Sequence, residues 1–261
     1  MGYETLLVQT ENHVCTVTLN RPDAMNAVDQ RVTRELQKAL KEISRDKSVR
    51  CLLLTGAGKA FCVGQDLKEA TAGDKPLDFA ARLRRGYNPA IQQLMSLEIP
   101  TLAGINGAAA GAGWSLALAC DLRVAASNVK FVSAFSNLGL IPDCAMTWTL
   151  PRLVGYAKAL EIAWLSDPIS AETALQLGLV HRIVEPDNFA SVIREMAARL
   201  AARPTKGLAL TKRAMIAGMT NDATAQLEYE AMLQGVAGRT KDYQEGVSAF
   251  IEKRQAEFAG E

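Results

Sequence analysis

The chain has 261 residues, 49% of them hydrophobic and 22% charged, with a formal net charge of +1. That is ample length for a buried core, and the near-neutral charge excludes nucleic acid as a default partner and leaves any anionic ligand to local groups. Five cysteines without a CxxC pair and two histidines, His13 and His181, exclude a metal-ligand spacing and give no Cys–His or Ser–His motif, so buried, reduced thiols in a cytoplasmic protein are expected.

Residues 3–10 and 14–20 read as a hairpin turning at Glu11, Asn12 and His13, with Cys15, Val17 and Leu19 alternating with threonines. Asp29 is placed to cap a helix running to about Asp46, its apolar stripe being Val32, Leu36, Ala39, Leu40 and Ile43. Val49–Thr55 is a continuous apolar strand bounded by Gly56, Ala57 and Gly58. A loop and a polar helix near Leu67 follow, then a polar, mobile stretch Thr71–Pro76 and a helix over 78–96. Thr101–Asn106 is another buried strand, and Leu122–Ala126 and Val129–Ser133 are two more. Helices dominate from Cys144 onward, with a short strand at Val180–Val184, caps at Ser170 and Asp187, and breaks at Gly178 and Pro204. No basic, then apolar, leader segment opens the chain, so a signal peptide is not expected. The uncharged run after Glu98 is broken by Pro100, Asn106 and four glycines, which marks it as buried core and not a membrane span. Alternating strands and helices predict an α/β protein with a helical C-terminal third.

Two glycine-containing turns follow buried strands. One is TGAGKAFCVGQD from Thr55; the other lies in AGINGAAAGAGWSLALACD from Ala103 to Asp121. Neither is a Walker loop or a dinucleotide fingerprint, because Leu53, Ala60 and Leu116 stand where those motifs need Gly, Ser or Thr, and Gly. Small residues let a ligand approach the backbone. A helix start leaves peptide N–H groups without partners, suited to an anion or to an oxygen that becomes one.

AFCVGQDL at 60–67 and NGAAAGAGWSLALACDLRVA at 106–125 resemble the paired signatures of the crotonase (enoyl-CoA hydratase/isomerase) superfamily. NRPDAMNAV at 20–28 is similar to its acyl-CoA entry loop, and KFVSAFSNLGLIPD with LPRLVG to the segment lining its active site. The similarity continues through GLV at 178–180 to GVSAFIEKR at 246–254, and the NLGLIPDC-type loop most resembles the branch that isomerises ring epoxides in phenylacetate degradation. The resemblance implies a crotonase spiral of ββα units over residues 1–200 carrying the acyl-CoA site, and a C-terminal helical oligomerisation region over 201–261. It also implies homotrimers that pair into hexamers, and a coenzyme A thioester as substrate with no permanently bound cofactor. By motif position the two oxyanion donors fall on the backbone N–H groups of Gln65 and Ala112, beside Gly64 and Gly111. The adenine grip falls on the Val63 carbonyl with Asp66 and Leu67, and the acyl-CoA entrance on Ala24, Asn26 and Ala27. Lys68, Lys253 and Arg254 become candidates for phosphate contacts, or remain solvated surface charges.

The departures from the pattern select the chemistry. Family hydratases carry two glutamates that hold and split water; their positions here are Ser115 and Phe135. Asp143 is the carboxylate left in the active-site segment, where several family isomerases place a catalytic Asp. A single base suffices for a 1,3-proton shift while an oxyanion hole holds the enolate. Phe131, Phe135, Leu140, Ile141 and Trp148 are expected to raise the Asp143 pKa by desolvation. Its spacing also suits an N-cap for a helix over Cys144–Pro151. Trp114 and Trp148 serve as packing or as acyl-pocket walls. An acyl-CoA isomerase is therefore expected, the alternatives being a hydratase or thioester hydrolase on the same scaffold and a non-catalytic acyl-CoA binding protein.

Overall fold

A computed structural model describes residues 2–70 and 77–261. The stretch Thr71–Pro76 expected to be mobile lies outside the described residues. β1 (Leu6–Glu11) and β2 (Val14–Leu19) form the hairpin, turned by Asn12 and His13 at φ 49° and 66°. Two left-handed residues match the right-handed twist of the flanking strands. Cys15, Val17 and Leu19 face inward and are buried. α1 (Gln30–Ile43) is capped as expected, Asp29 Oδ1 accepting the N–H of Arg31 and of Val32, each at 2.9 Å. Its predicted stripe is buried throughout.

β3 (Cys51–Gly56) and β4 (Ala60–Cys62) follow, then α2 (Leu67–Ala70), α3 (Phe79–Arg82) and α4 (Asn88–Ser96). α3 and α4 are joined by a π-turn, Leu83–Tyr87, within the stretch predicted as one helix. β5 (Thr101–Ile105), β6 (Ala108–Ala110) and α5 (Ala112–Leu118) come next, then β7 (Leu122–Ala126) and β8 (Lys130–Val132). The remainder is α6 (Met146–Val154), α7 (Tyr156–Leu165), β9 (Ile169–Ser170), α8 (Ala171–Gln176), β10 (Arg182–Val184) and α9 (Pro186–Ala201). α10 (Thr205–Gly218), α11 (Ala223–Ala237) and α12 (Lys241–Glu252) close the chain. Ser170 caps α8 as expected. Asp187 does not cap: α9 begins one residue earlier, at Pro186, whose missing N–H costs nothing there.

Among the described residues the strands form two sheets, in the orders β1-β2-β3-β5-β7-β10 and β4-β6-β8-β9. β2 through β10 run parallel in the first, as do β4, β6 and β8 in the second. Three successive strand pairs, β3–β4, β5–β6 and β7–β8, thus each add one strand to each sheet, which is the predicted spiral of ββα units. β4 and β6 escaped the sequence reading because three residues carry no periodicity. α9 lays Phe189, Ile193 and Ala197 on the larger sheet, where a Cβ on Gly104 would stand 2.9 Å from Ile193 Cδ1. Buried Arg50, just before β3, gathers the C-terminal third: it donates to Thr205 Oγ1 at 2.9 Å, the Arg203 carbonyl at 2.7 Å and the Phe258 carbonyl at 2.7 Å. All five cysteines are buried and unpaired. Among the described residues no helix is long and apolar enough to cross a membrane.

One tight joint is between β4 and α5. A Cβ on Gly113 would sit 2.2 Å from the Cys62 carbonyl oxygen and 2.6 Å from its Sγ. Gly113→Ala is expected to cost about 3 kcal/mol or more by overpacking, which for a chain of this size lowers Tm by about 6–12 °C. A thermal melt checks it.

Candidate active site

Gln65 stands in an isolated parallel bridge with Val28. The Val28 N–H donates to the Gly64 carbonyl at 2.7 Å and the Asp66 N–H to the Val28 carbonyl at 3.0 Å. Both bonds use the neighbours of Gln65, so its own N–H points away from Val28. Across from it, the Gly111 N–H is tied to the Val132 carbonyl at 3.0 Å, and Gly111, at φ 49°, turns the chain into α5. Ala112 is the first residue of that helix, so its N–H has no intrahelical acceptor. The two loops touch: a Cβ on Gly64 (φ 91°) would lie 3.3 Å from the Ala112 nitrogen and 2.9 Å from the Ala110 oxygen. The turn that carries Gln65 and the start of α5, from different ββα units, are thereby in contact.

The segment that leads to Asp143 comes from the third unit, and its Phe135 packs on the Gly111 turn. A 3₁₀ turn at Ser136–Leu138 closes through Gly139, with the Leu138 and Leu140 N–H groups both on the Phe135 carbonyl at 3.0 Å. The Phe135 ring lies 3.9 Å from where a Cβ of Gly111 would be. Cys144, beside Asp143, lies near Cys62, which packs on Gly113. Asp143 is half-buried, and its Oδ1 is shut from solvent with no hydrogen-bond partner. Burial pushes its pKa up from the ordinary value; the Cys144 thiol and a backbone N–H pull the other way. Its side chain does not cap α6: Ala145 holds that position and the Met146 N–H takes the Asp143 backbone carbonyl at 3.0 Å. Cys144 and Ala145 are both left-handed, at φ 52° and 66°, a strain of about 1 kcal/mol or more each that turns the carboxyl out of the cap. Of the apolar residues expected around it, Phe135 is buried, Leu140 and Trp148 are half-buried, and Ile141 is 80% exposed and desolvates nothing.

Ser115 and Phe135, expected from the resemblance at the positions of the hydratase glutamates, are both buried. The Ser115 hydroxyl is fully buried and donates to the Gly111 carbonyl at 3.2 Å. Phe135 puts a ring over the turn. Trp114 packs in the core against Phe131, ring centroids 5.5 Å apart.

The family model described as enoyl-CoA hydratase/isomerase matches residues 9–261. The chain belongs to the enoyl-CoA hydratase/isomerase family. It is 44% identical over 260 residues to the 1,2-epoxyphenylacetyl-CoA isomerase of Escherichia coli, covering 98% of this chain and 99% of that relative. It is 33% identical over 261 residues to the crotonyl-CoA hydratase of Syntrophomonas wolfei, covering 99% of each. The crystal structure of an enoyl-CoA hydratase from Bacillus anthracis superposes with a TM-score of 0.92 at 33% identity, covering 99% of this chain and 100% of that one. The spiral is thus the crotonase fold.

In this member of the enoyl-CoA hydratase/isomerase family the entry loop docks directly on the first signature, the Val63 N–H donating to the Met25 carbonyl at 3.3 Å. Ala24 is half-buried and Ala27 buried. Asn26 is 1% exposed; its Oδ1 accepts the Arg21 N–H at 2.9 Å, while Nδ2 donates to the carbonyls of Ala57 at 2.9 Å and Ala60 at 2.8 Å. It holds three loop segments together. Asn26→Ala removes the side-chain partner of the Arg21 N–H and of the Ala57 carbonyl, while the Ala60 carbonyl keeps Asn106 Nδ2 at 3.3 Å, and is expected to cost about 2–4 kcal/mol, read by urea unfolding. The Asp66 carboxylate pairs with Arg21 at 2.8 Å and accepts the N–H of Lys68 at 3.1 Å, which steadies α2. Leu67 is 52% exposed and Lys68 is exposed. Arg254 is neutralised by Glu245 and Glu252. Lys253, at the left-handed end of α12, is exposed, and among the described residues no hydrogen bond or ion pair ties it to the signature loops. Sequence reasoning missed Tyr87, whose hydroxyl donates to the Val28 carbonyl at 3.2 Å; Pro89 within an otherwise helical stretch was the available signal.

Proposed function

We propose that this chain is an acyl-CoA isomerase that shifts a double bond, or isomerises a ring epoxide, through a thioester enolate. The observation that supports this reading is Asp143, one carboxylate with a buried, unpartnered oxygen, while Ser115 and Phe135 stand at the positions that the family resemblance gives to the hydratase glutamates. On a 3-enoyl-CoA, the Asp143 carboxylate takes a proton from the α-carbon. The electron pair spreads over the dienolate and onto the thioester oxygen, which the N–H groups of Gln65 and Ala112 hold. The protonated Asp143 returns the proton to the γ-carbon, giving the conjugated 2-enoyl-CoA, with no water consumed. The likeness to an epoxyphenylacetyl-CoA isomerase supports ring-epoxidised phenylacetyl-CoA as the second substrate class. Ala24, Asn26, Ala27, Val63, Asp66 and Leu67 frame the coenzyme A entrance in this reading.

The assay compares isomerisation of a 3-enoyl-CoA and of the ring-epoxide thioester with hydration of crotonyl-CoA. Isomerisation well above hydration is the expected result. Hydration at a comparable rate favours the hydratase reading, for which the crotonyl-CoA hydratase likeness speaks. Tight acyl-CoA binding without α-proton exchange into solvent favours a binding protein. We also propose a homotrimer, paired into hexamers, built with residues 201–261. Leu227, Met232, Phe250 and Ile251, all exposed on this single chain, support it, and sedimentation equilibrium measures it.

A further inference from the structure

The helical stretch over α3 and α4 contains a defect. Pro89 has no N–H to give the Arg85 carbonyl, and its ring crowds that oxygen. The chain widens there into the π-turn Leu83–Tyr87, a form that recurs at functional sites. The carbonyls of Arg85 and Gly86 accept instead from Gln37 Nε2 on α1, at 3.2 and 2.8 Å. Gly86 lets the turn lie close to α1: a Cβ there would be 3.3 Å from Thr33 Oγ1. The turn is therefore locked in place by α1.

At the end of the turn stands Tyr87. Its ring is buried and its hydroxyl donates to the Val28 carbonyl at 3.2 Å. Behind it lies Arg82, its side chain 8% exposed and paired with Glu69; burial raises the Tyr87 pKa, and Arg82 pulls against that rise. Glu69 in turn accepts the Gln30 N–H at 3.1 Å, at the start of α1. The Val28 carbonyl thus takes two donors, the Asp66 N–H and the Tyr87 hydroxyl. Val28 is the bridge partner of Gln65, and it holds Gly64 and Asp66 on either side. The two backbone bonds that flank the Gln65 peptide on that side, from Val28 to Gly64 and from Asp66 to Val28, both run through Val28.

We infer that Tyr87, with Arg82 behind it, is a positioning residue for the oxyanion hole: its hydroxyl pins the Val28 carbonyl and so aims the Gln65 N–H at the thioester oxygen. This rests on reading Gln65 as an oxyanion donor. A donor of this kind works only within a narrow distance of the oxygen, and a misplacement of about 1 Å can cost about 100-fold in rate. Losing one of two bonds to Val28 loosens the peptide without removing it, so a loss of about 10-fold in kcat is expected, with KM within about twofold.

The test uses the full chain and a saturated acyl-CoA carrying a ¹³C-labelled thioester carbonyl. Infrared difference spectra report how far the bound carbonyl stretch falls below that of the free ligand. Wild type and Asp143→Asn are expected to show the same fall. Tyr87→Phe is expected to show a smaller one, together with the kcat loss. Gln37→Ala loosens the π-turn while leaving the hydroxyl in place, and is expected to move spectrum and kcat in the same direction. It decides the matter if Tyr87→Phe does not fold. Folded variants that keep the full wild-type fall and kcat overturn the role of Tyr87. No fall in wild type itself overturns the oxyanion reading of Gln65, and the inference with it.

Discussion

Asp143→Asn is expected to lower kcat for isomerisation by about 100- to 10,000-fold, the range of a lost general acid–base group. Asn matches the carboxyl in shape but accepts no proton at the α-carbon. KM is expected to change little, because the coenzyme A moiety is held by other segments. Steady-state kinetics on a 3-enoyl-CoA measures this, and an Asn variant with wild-type kcat removes Asp143 from the chemistry. The pH dependence follows from the same burial. The base works ionised, and desolvation raises its pKa, so the acid limb of kcat/KM is expected above the ordinary aspartate range.

The linked stability has the opposite sign. A carboxyl whose native pKa is raised contributes its stability below the unfolded pKa and loses it as pH rises through the native value. At neutral pH the ionised Asp143 therefore burdens the fold. Asp143→Asn is expected to gain about 1 kcal/mol, or about 2–4 °C in Tm, at neutral pH, with the gain shrinking in acid. An equal or lower Tm at neutral pH contradicts the desolvation of this group.

Gly64→Ala is the second large effect. The donors proposed for the oxyanion hole are backbone groups that no side-chain deletion removes, but the contact between their loops can be forced apart. At φ 91° an L-residue is strained, and the added methyl meets the Ala110 oxygen at 2.9 Å and the Ala112 nitrogen at 3.3 Å. Loss of one well-placed donor is worth about 100- to 1,000-fold in kcat, and that loss is expected here. Gln65→Ala is the paired control. The Gln65 Nε2 is buried with no partner, so its removal is expected to leave kcat within about threefold while the peptide N–H stays. A larger loss in the control than in Gly64→Ala moves the role from the backbone to the side chain.

Much of this architecture was legible in the residues. The hairpin, α1 with its Asp29 cap, and β7 have signals contained within a few neighbouring residues: period two, an apolar stripe, a capping carboxylate. β4 and β6 were illegible because each is three residues long and exists only by pairing with strands of other units. The helix over 78–96 was legible as a helix but not as one with a π-turn, because widening at Pro89 depends on Gln37, about fifty residues earlier, accepting the role of partner. The two signature loops were recognisable by resemblance. Their meeting was not, since it depends on Gly64 lying against the Ala112 nitrogen.

Asp143 separates the two kinds of information most clearly. By spacing it was equally a helix cap, and local rules had no means to choose, because a capping carboxylate and a free one occupy the same position relative to a helix start. The tertiary structure chose: Cys144 and Ala145 are held in left-handed conformations, and the carboxyl does not cap the helix but keeps its Oδ1 shut from solvent without a partner. By itself, then, the sequence determined the α/β class and the glycine turns, since these depend on residue identity and local period; that Ser115 and Phe135 replace two glutamates came from the family resemblance. Only the tertiary structure decided that the Gly64 turn lies against the Ala112 nitrogen and that the Phe135 ring lies over Gly111. Such convergence is a property of three ββα units stacked in register, not of any one of them.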